Sequence, residues 1–107
     1  KVGIAISPDT EIEKIYEFLP YIHMVLVMTV VPGKGGQGLI PETLDKVREL
    51  RKYCNENDFD IDIEVDGGIN DVTCKETMRA GANILVAGSY IWKSDDYKTA
   101  VSRLKEE

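Results

Sequence analysis

The chain has 107 residues, room for one small domain and too few for two. Its net charge of −6 offers no basic footprint for nucleic acid, and no apolar run approaches the roughly 20 residues that cross a bilayer. A hydrophobic share of 43% beside 30% charged residues argues against disorder, so a soluble globular protein of the cytoplasm is the expectation. Acidic balance still permits an anionic ligand, because backbone N–H groups hold phosphate without any net positive charge.

In chain order, Val2 to Ile6 reads as a short strand that Ser7-Pro8-Asp9-Thr10 breaks. Thr10 and Glu13 have capping-box spacing, which predicts a helix from Glu11 with Ile12, Ile15, Tyr16 and Leu19 inward and a stop at Pro20. Met24 to Val30 is almost wholly apolar, the pattern of a strand covered on both faces in a parallel sheet. A Gly-rich loop follows, and Pro41 opens an amphipathic helix. Ile40, Leu44, Val47, Leu50 and Cys54 share its inner face, while Lys46, Arg48, Arg51 and Lys52 are expected in water.

The third strand spans Ile61 to Val65 and ends in Asp66, Gly67 and Gly68. Asn70 or Asp71 then caps a helix to Ala80, closed by Gly81. Ile84 to Ala87 forms the fourth strand, Tyr90 to Trp92 a short helical turn, and Ser94 caps a last helix with Tyr97, Ala100, Val101 and Leu104 inward. Four strand–helix units with short connections predict an α/β fold with parallel strands, in a single unit over residues 1–107. Cys54 and Cys74 have neither redox nor metal spacing and are expected to be reduced and partly buried. His23 precedes the second strand and so belongs at the N-terminal end of the sheet, away from chemistry.

Three strands run into Gly-rich exits: Val31-Pro32-Gly33-Lys34-Gly35-Gly36, Asp66-Gly67-Gly68 and Gly88-Ser89. In a parallel sheet all three exits fall at one edge, which suggests one shared phosphate or carboxylate site. Singly, each glycine also fits an ordinary turn, Asp66 a helix cap and Met28 a core position.

The run Val27-Met28-Thr29-Val30-Val31-Pro32-Gly33-Lys34-Gly35-Gly36-Gln37 resembles the ribulose-phosphate 3-epimerase family, as do Ile63-Glu64-Val65-Asp66-Gly67-Gly68-Ile69 and Gly81-Ala82-Asn83 with Val86-Ala87-Gly88-Ser89. The motifs stand in the family's order, and the resemblance covers essentially the whole chain. Lys34 replaces a usual aromatic and Val31 a usual polar residue. The resemblance implies the C-terminal half of a TIM (β/α)8 barrel, its fifth to eighth strand–helix units.

It further implies an isomerase of the pentose phosphate pathway that interconverts D-ribulose 5-phosphate and D-xylulose 5-phosphate by proton transfer at C3. Asp66 is then a catalytic acid/base and a ligand to a divalent metal, zinc first and iron, manganese or cobalt as alternatives. Met28, Gly33, Lys34, Gly35, Gly36, Asp66, Gly67, Gly68, Gly88 and Ser89 are implied to bind the phosphorylated ketopentose. The remaining ligands and the second acid/base group lie, in the family, on strands outside this chain. A homo-oligomer or pairing with an N-terminal half is therefore expected, and the isolated chain is expected to be weak or inactive. An allulose 6-phosphate 3-epimerase and a non-catalytic half-barrel that binds phosphosugar are the alternatives.

Overall fold

The computed structural model describes residues 2–30, 38–87 and 96–105. Among these residues, β1 (Gly3–Ile6), β2 (Met24–Met28), β3 (Asp62–Asp66) and β4 (Ile84–Val86) form one sheet in the order β1-β2-β3-β4. All three pairings are parallel. Parallel neighbours need a crossover between them. A 3-10 helix (Ile12–Tyr21), α1 (Pro41–Glu56) and α2 (Thr73–Ala80) supply it, and α3 (Tyr97–Lys105) follows β4. The α/β architecture expected from the apolar periodicity is therefore the one observed.

Alternation along the strands decides which face holds the core. Val25, Val27, Ile63 and Val65 are at most 1% exposed. They join Ile12, Ile15 and Leu19 of the 3-10 helix, Leu44, Val47, Leu50 and Cys54 of α1, and Cys74 and Ala80 of α2 in one cluster. Met24, Leu26 and Met28, the intervening residues of β2, are only half-buried. Strand β2 was expected to be covered on both faces; within the described residues one face is sealed and the other is open.

Several local expectations are corrected. Thr10 does not cap a helix: its Oγ1 accepts the Ser7 N–H at 3.3 Å and pairs with the Ser7 hydroxyl at 3.0 Å. Glu11 stands at the cap position with no side-chain bond. The helix is of the 3-10 type, its terminal bonds spanning three residues (Lys14 N–H to the Glu11 carbonyl, Ile22 N–H to that of Leu19), and it runs one residue past Pro20. Strand β2 ends at Met28 instead of Val30.

Of the two candidates before α2, Asn70 is the one used, its Oδ1 accepting the N–H groups of Val72 and Thr73 at 2.8 and 2.9 Å. Gly81 follows α2 with φ +124°. Asp96 caps α3: its carboxylate accepts the Lys98 and Thr99 N–H groups and the Thr99 hydroxyl. Ser94 and the turn expected at 90–92 lie outside the described residues.

Two cations of α1 read as solvent-facing have structural work. Lys46 donates from Nζ to the Pro8 and Thr10 carbonyls, fastening the segment after β1 to the helix. Arg51 donates to the carbonyls of Gly81 and Ile61 at 2.9 and 3.1 Å. Both extend polar heads over apolar stems towards carbonyls that would otherwise face water alone.

Candidate functional site at the strand C-termini

Because the strands are parallel, their C-terminal ends share one edge. The register places Met28, Asp66 and Val86 side by side there, on β2, β3 and β4. Met28 and Asp66 are half-buried, and both fall on the open face by the alternation that buries Val27 and Val65. The carboxylate of Asp66 thus stands at the end of a strand beside an apolar side chain.

The turn after Asp66 is fixed by the exit of β2. Thr29 is fully buried. Its N–H donates to the Asp66 carbonyl at 3.0 Å, and its Oγ1 donates to the Gly67 carbonyl at 2.5 Å. Its own carbonyl accepts the Ile40 N–H at 2.8 Å, so the start of α1 is tied to the same point. On the far side of the turn, Thr73 Oγ1 donates to the Gly68 carbonyl at 2.7 Å.

Gly67 and Gly68 are glycines for a definite reason. Both have positive φ, +129° and +69°. A Cβ on Gly67 would lie 2.9 Å from the Val30 nitrogen, and one on Gly68 would lie 2.7 Å from Leu39 Cα. Backbone packs directly against backbone at both positions, which no larger residue allows. Sequence reading marked these glycines but missed Thr29. The one available signal was a hydroxyl inside the apolar run Val25-Leu26-Val27-Met28-Thr29-Val30.

Of the expected site residues, the structure brings Met28, Asp66, Gly67 and Gly68 to this edge. Gly33, Lys34, Gly35, Gly36, Gly88 and Ser89 lie outside the described residues. His23 is at the opposite end, as expected: its N–H donates to the Val2 carbonyl, and its carbonyl accepts the Asp62 N–H where β3 begins. Among the described residues no group of three or more His, Cys, Asp or Glu could hold a metal ion. Cys54 and Cys74 are free thiols, fully buried in the helix-side core. Burial pushes the Cys54 thiol up, with the Arg51 cation opposing. No helix among the described residues is long and apolar enough to cross a membrane.

The family model described as the ribulose-phosphate 3 epimerase family matches residues 1–92. The chain is similar to the ribulose-phosphate 3-epimerase of Mycobacterium tuberculosis, 43% identical over all 107 residues and 47% of the relative. It is 40% identical to that of Escherichia coli over 100% of this chain and 48% of the relative. With that of Synechocystis the identity is 39% over 98% of this chain and 46% of the relative. The chain spans about half the length of these relatives and aligns to their C-terminal part, and the family fold is a TIM barrel. With the parallel sheet, the Asp-Gly-Gly turn at its C-terminal edge and this match in agreement, the chain belongs to the ribulose-phosphate 3-epimerase family.

Proposed function

We propose that this chain carries the C-terminal half of the site of a ribulose-phosphate 3-epimerase, interconverting D-ribulose 5-phosphate and D-xylulose 5-phosphate. The observation that carries the reading is Asp66, a carboxylate at the C-terminal end of β3, beside Met28 and in front of a rigid two-glycine turn. The C-terminal edge of parallel strands is where barrels of this type place their chemistry.

Epimerisation removes the C3 proton, which is acidic because it is α to the C2 carbonyl. The enediolate is reprotonated at C3 from its other face, which inverts that centre. Two acid/base groups on opposite faces are needed. Asp66 serves one face, and the second group comes from chain beyond these residues. Met28 forms an apolar wall that keeps water from the enediolate. Gly67, Gly68, Gly88 and Ser89 hold the phosphate through backbone N–H groups, and Gly33, Lys34, Gly35 and Gly36 form a substrate-binding loop.

A divalent metal, zinc first, would polarise the C2 oxygen, with Asp66 as one ligand. A catalytic zinc takes about three protein ligands, and the described residues do not supply them. The half-buried open face of the sheet, with Met24, Leu26 and Met28 on it, supports association with an N-terminal half or a second copy. The isolated chain, holding one acid/base group, should show little or no turnover.

Asp66→Asn in the complete enzyme is the test. Exchange of the C3 hydrogen with deuterium from solvent should be lost, while inorganic phosphate still competes with substrate. Unchanged exchange would remove Asp66 from the reaction.

A further inference from the structure

Thr29 has every polar group committed, and all of them to the surroundings of the strand exit. Its N–H reaches the Asp66 carbonyl, its hydroxyl the Gly67 carbonyl, and its carbonyl the Ile40 N–H. The side chain is fully buried and lies against the position where Gly67 lacks a Cβ, 3.0 Å from it. A valine would satisfy the apolar run equally well, so hydrophobic packing does not explain a hydroxyl at this position. What the hydroxyl adds is a second tether on consecutive peptide groups, those following Asp66 and Gly67.

Two tethers have a geometric consequence that one lacks. A single bond at the Asp66 carbonyl leaves the next peptide free to swing about the Gly67 torsions, and glycine resists that motion least of all residues. Fixing the Gly67 carbonyl as well removes this freedom and holds the glycine turn that follows Asp66 in one conformation. We infer that Thr29 is a positioning residue for the reaction, its hydroxyl bond to the Gly67 carbonyl holding in place the glycine turn against which Asp66 stands.

The inference rests on the acid/base role proposed for Asp66. Two comparisons isolate the hydroxyl: Thr29→Val against the parent keeps the shape and removes it, and Thr29→Ser and Thr29→Ala differ from one another by the hydroxyl alone. In the complete enzyme, Thr29→Val and Thr29→Ala should lower kcat and solvent exchange at C3 by about 10- to 100-fold, the range for residues that orient a reacting group. KM should move less, because the phosphate contacts proposed for Gly88 and Ser89 do not involve Thr29, and Thr29→Ser should stay within about threefold of the parent in kcat.

Activities are compared well below each variant's unfolding temperature, so lost stability alone does not move kcat. If Thr29→Val does not fold, the Ser and Ala pair still decides. Equal kcat for Thr29→Ser and Thr29→Ala, with Asp66→Asn inactive, would overturn the role of Thr29 and leave that of Asp66 standing. Unchanged exchange in Asp66→Asn would overturn both.

Discussion

Asn83 and Ile63 are joined twice: the Ile63 N–H donates to the Asn83 side-chain oxygen at 2.7 Å, and the Asn83 N–H donates to the Ile63 carbonyl at 3.0 Å. The asparagine thereby extends the β3–β4 ladder one step below the first residue of β4. Arg51 adds Nη2 to the same side-chain oxygen at 3.3 Å, and the Asn83 amide nitrogen donates to Asp62 Oδ1 at 2.8 Å. Helix α1 and the starts of β3 and β4 meet at this knot.

Asn83→Ala strands the Ile63 N–H and should cost about 1–3 kcal/mol, and Arg51→Ala about 2 kcal/mol. Urea unfolding measures both. The knot lies at the N-terminal edge of the sheet, opposite Asp66, so the turnover of the folded complete enzyme should not change with either variant. A loss of kcat without a loss of stability would contradict this division between the two edges.

Gly68→Ala should destabilise by about 2–4 kcal/mol, because φ of +69° and a neighbouring backbone both oppose a Cβ. The clash is with Leu39, so relief requires moving the segment that leads into α1. Gly81→Ala provides the comparison: there the Cβ would meet Arg51 Cβ and Cγ, and the shift falls on a helix side chain. Urea midpoints should fall for both variants, because Gly81 also has a positive φ, +124°.

Cys54 links pH to stability. Burial holds its proton more tightly in the folded chain than in the unfolded one. The stabilisation is complete below the unfolded thiol value near 8.5 and is lost as pH rises through the raised folded value. Stability should therefore fall as pH rises above the ordinary thiol range, before the range in which Tyr16, also raised by burial, contributes. Cys54→Ala should flatten that slope. A thiol reagent should label neither Cys54 nor Cys74 until the chain is unfolded.

The elements were legible in the sequence where periodicity and burial agree. Leu44, Val47, Leu50 and Cys54 repeat at helical spacing and are all buried in α1, and Pro41 opens that helix. Asp66 was legible as a strand end because the apolar run stops there and two glycines follow. Thr10 misled because its capping-box spacing competes with a local turn of equal span, and the Ser7 partner wins. The work of Arg51 was invisible for another reason. An arginine on the polar stripe of a helix looks solvated until the carbonyls of Ile61 and Gly81, 10 and 30 residues away, are known to lie within its reach. The Thr29 hydroxyl is of the same kind, its partner 38 residues distant.

The alternation along β2 and β3 also bears on the order in which the molecule assembles. Val25, Val27, Ile63 and Val65 are sealed beneath helices that belong to this same stretch of chain. Among the described residues each strand pairs only with its neighbours in sequence. The helical shell can thus consolidate while the opposite face of the sheet still meets water, with no loop closure longer than one strand–helix unit. Met24, Leu26 and Met28, on the open face, take no part in that consolidation.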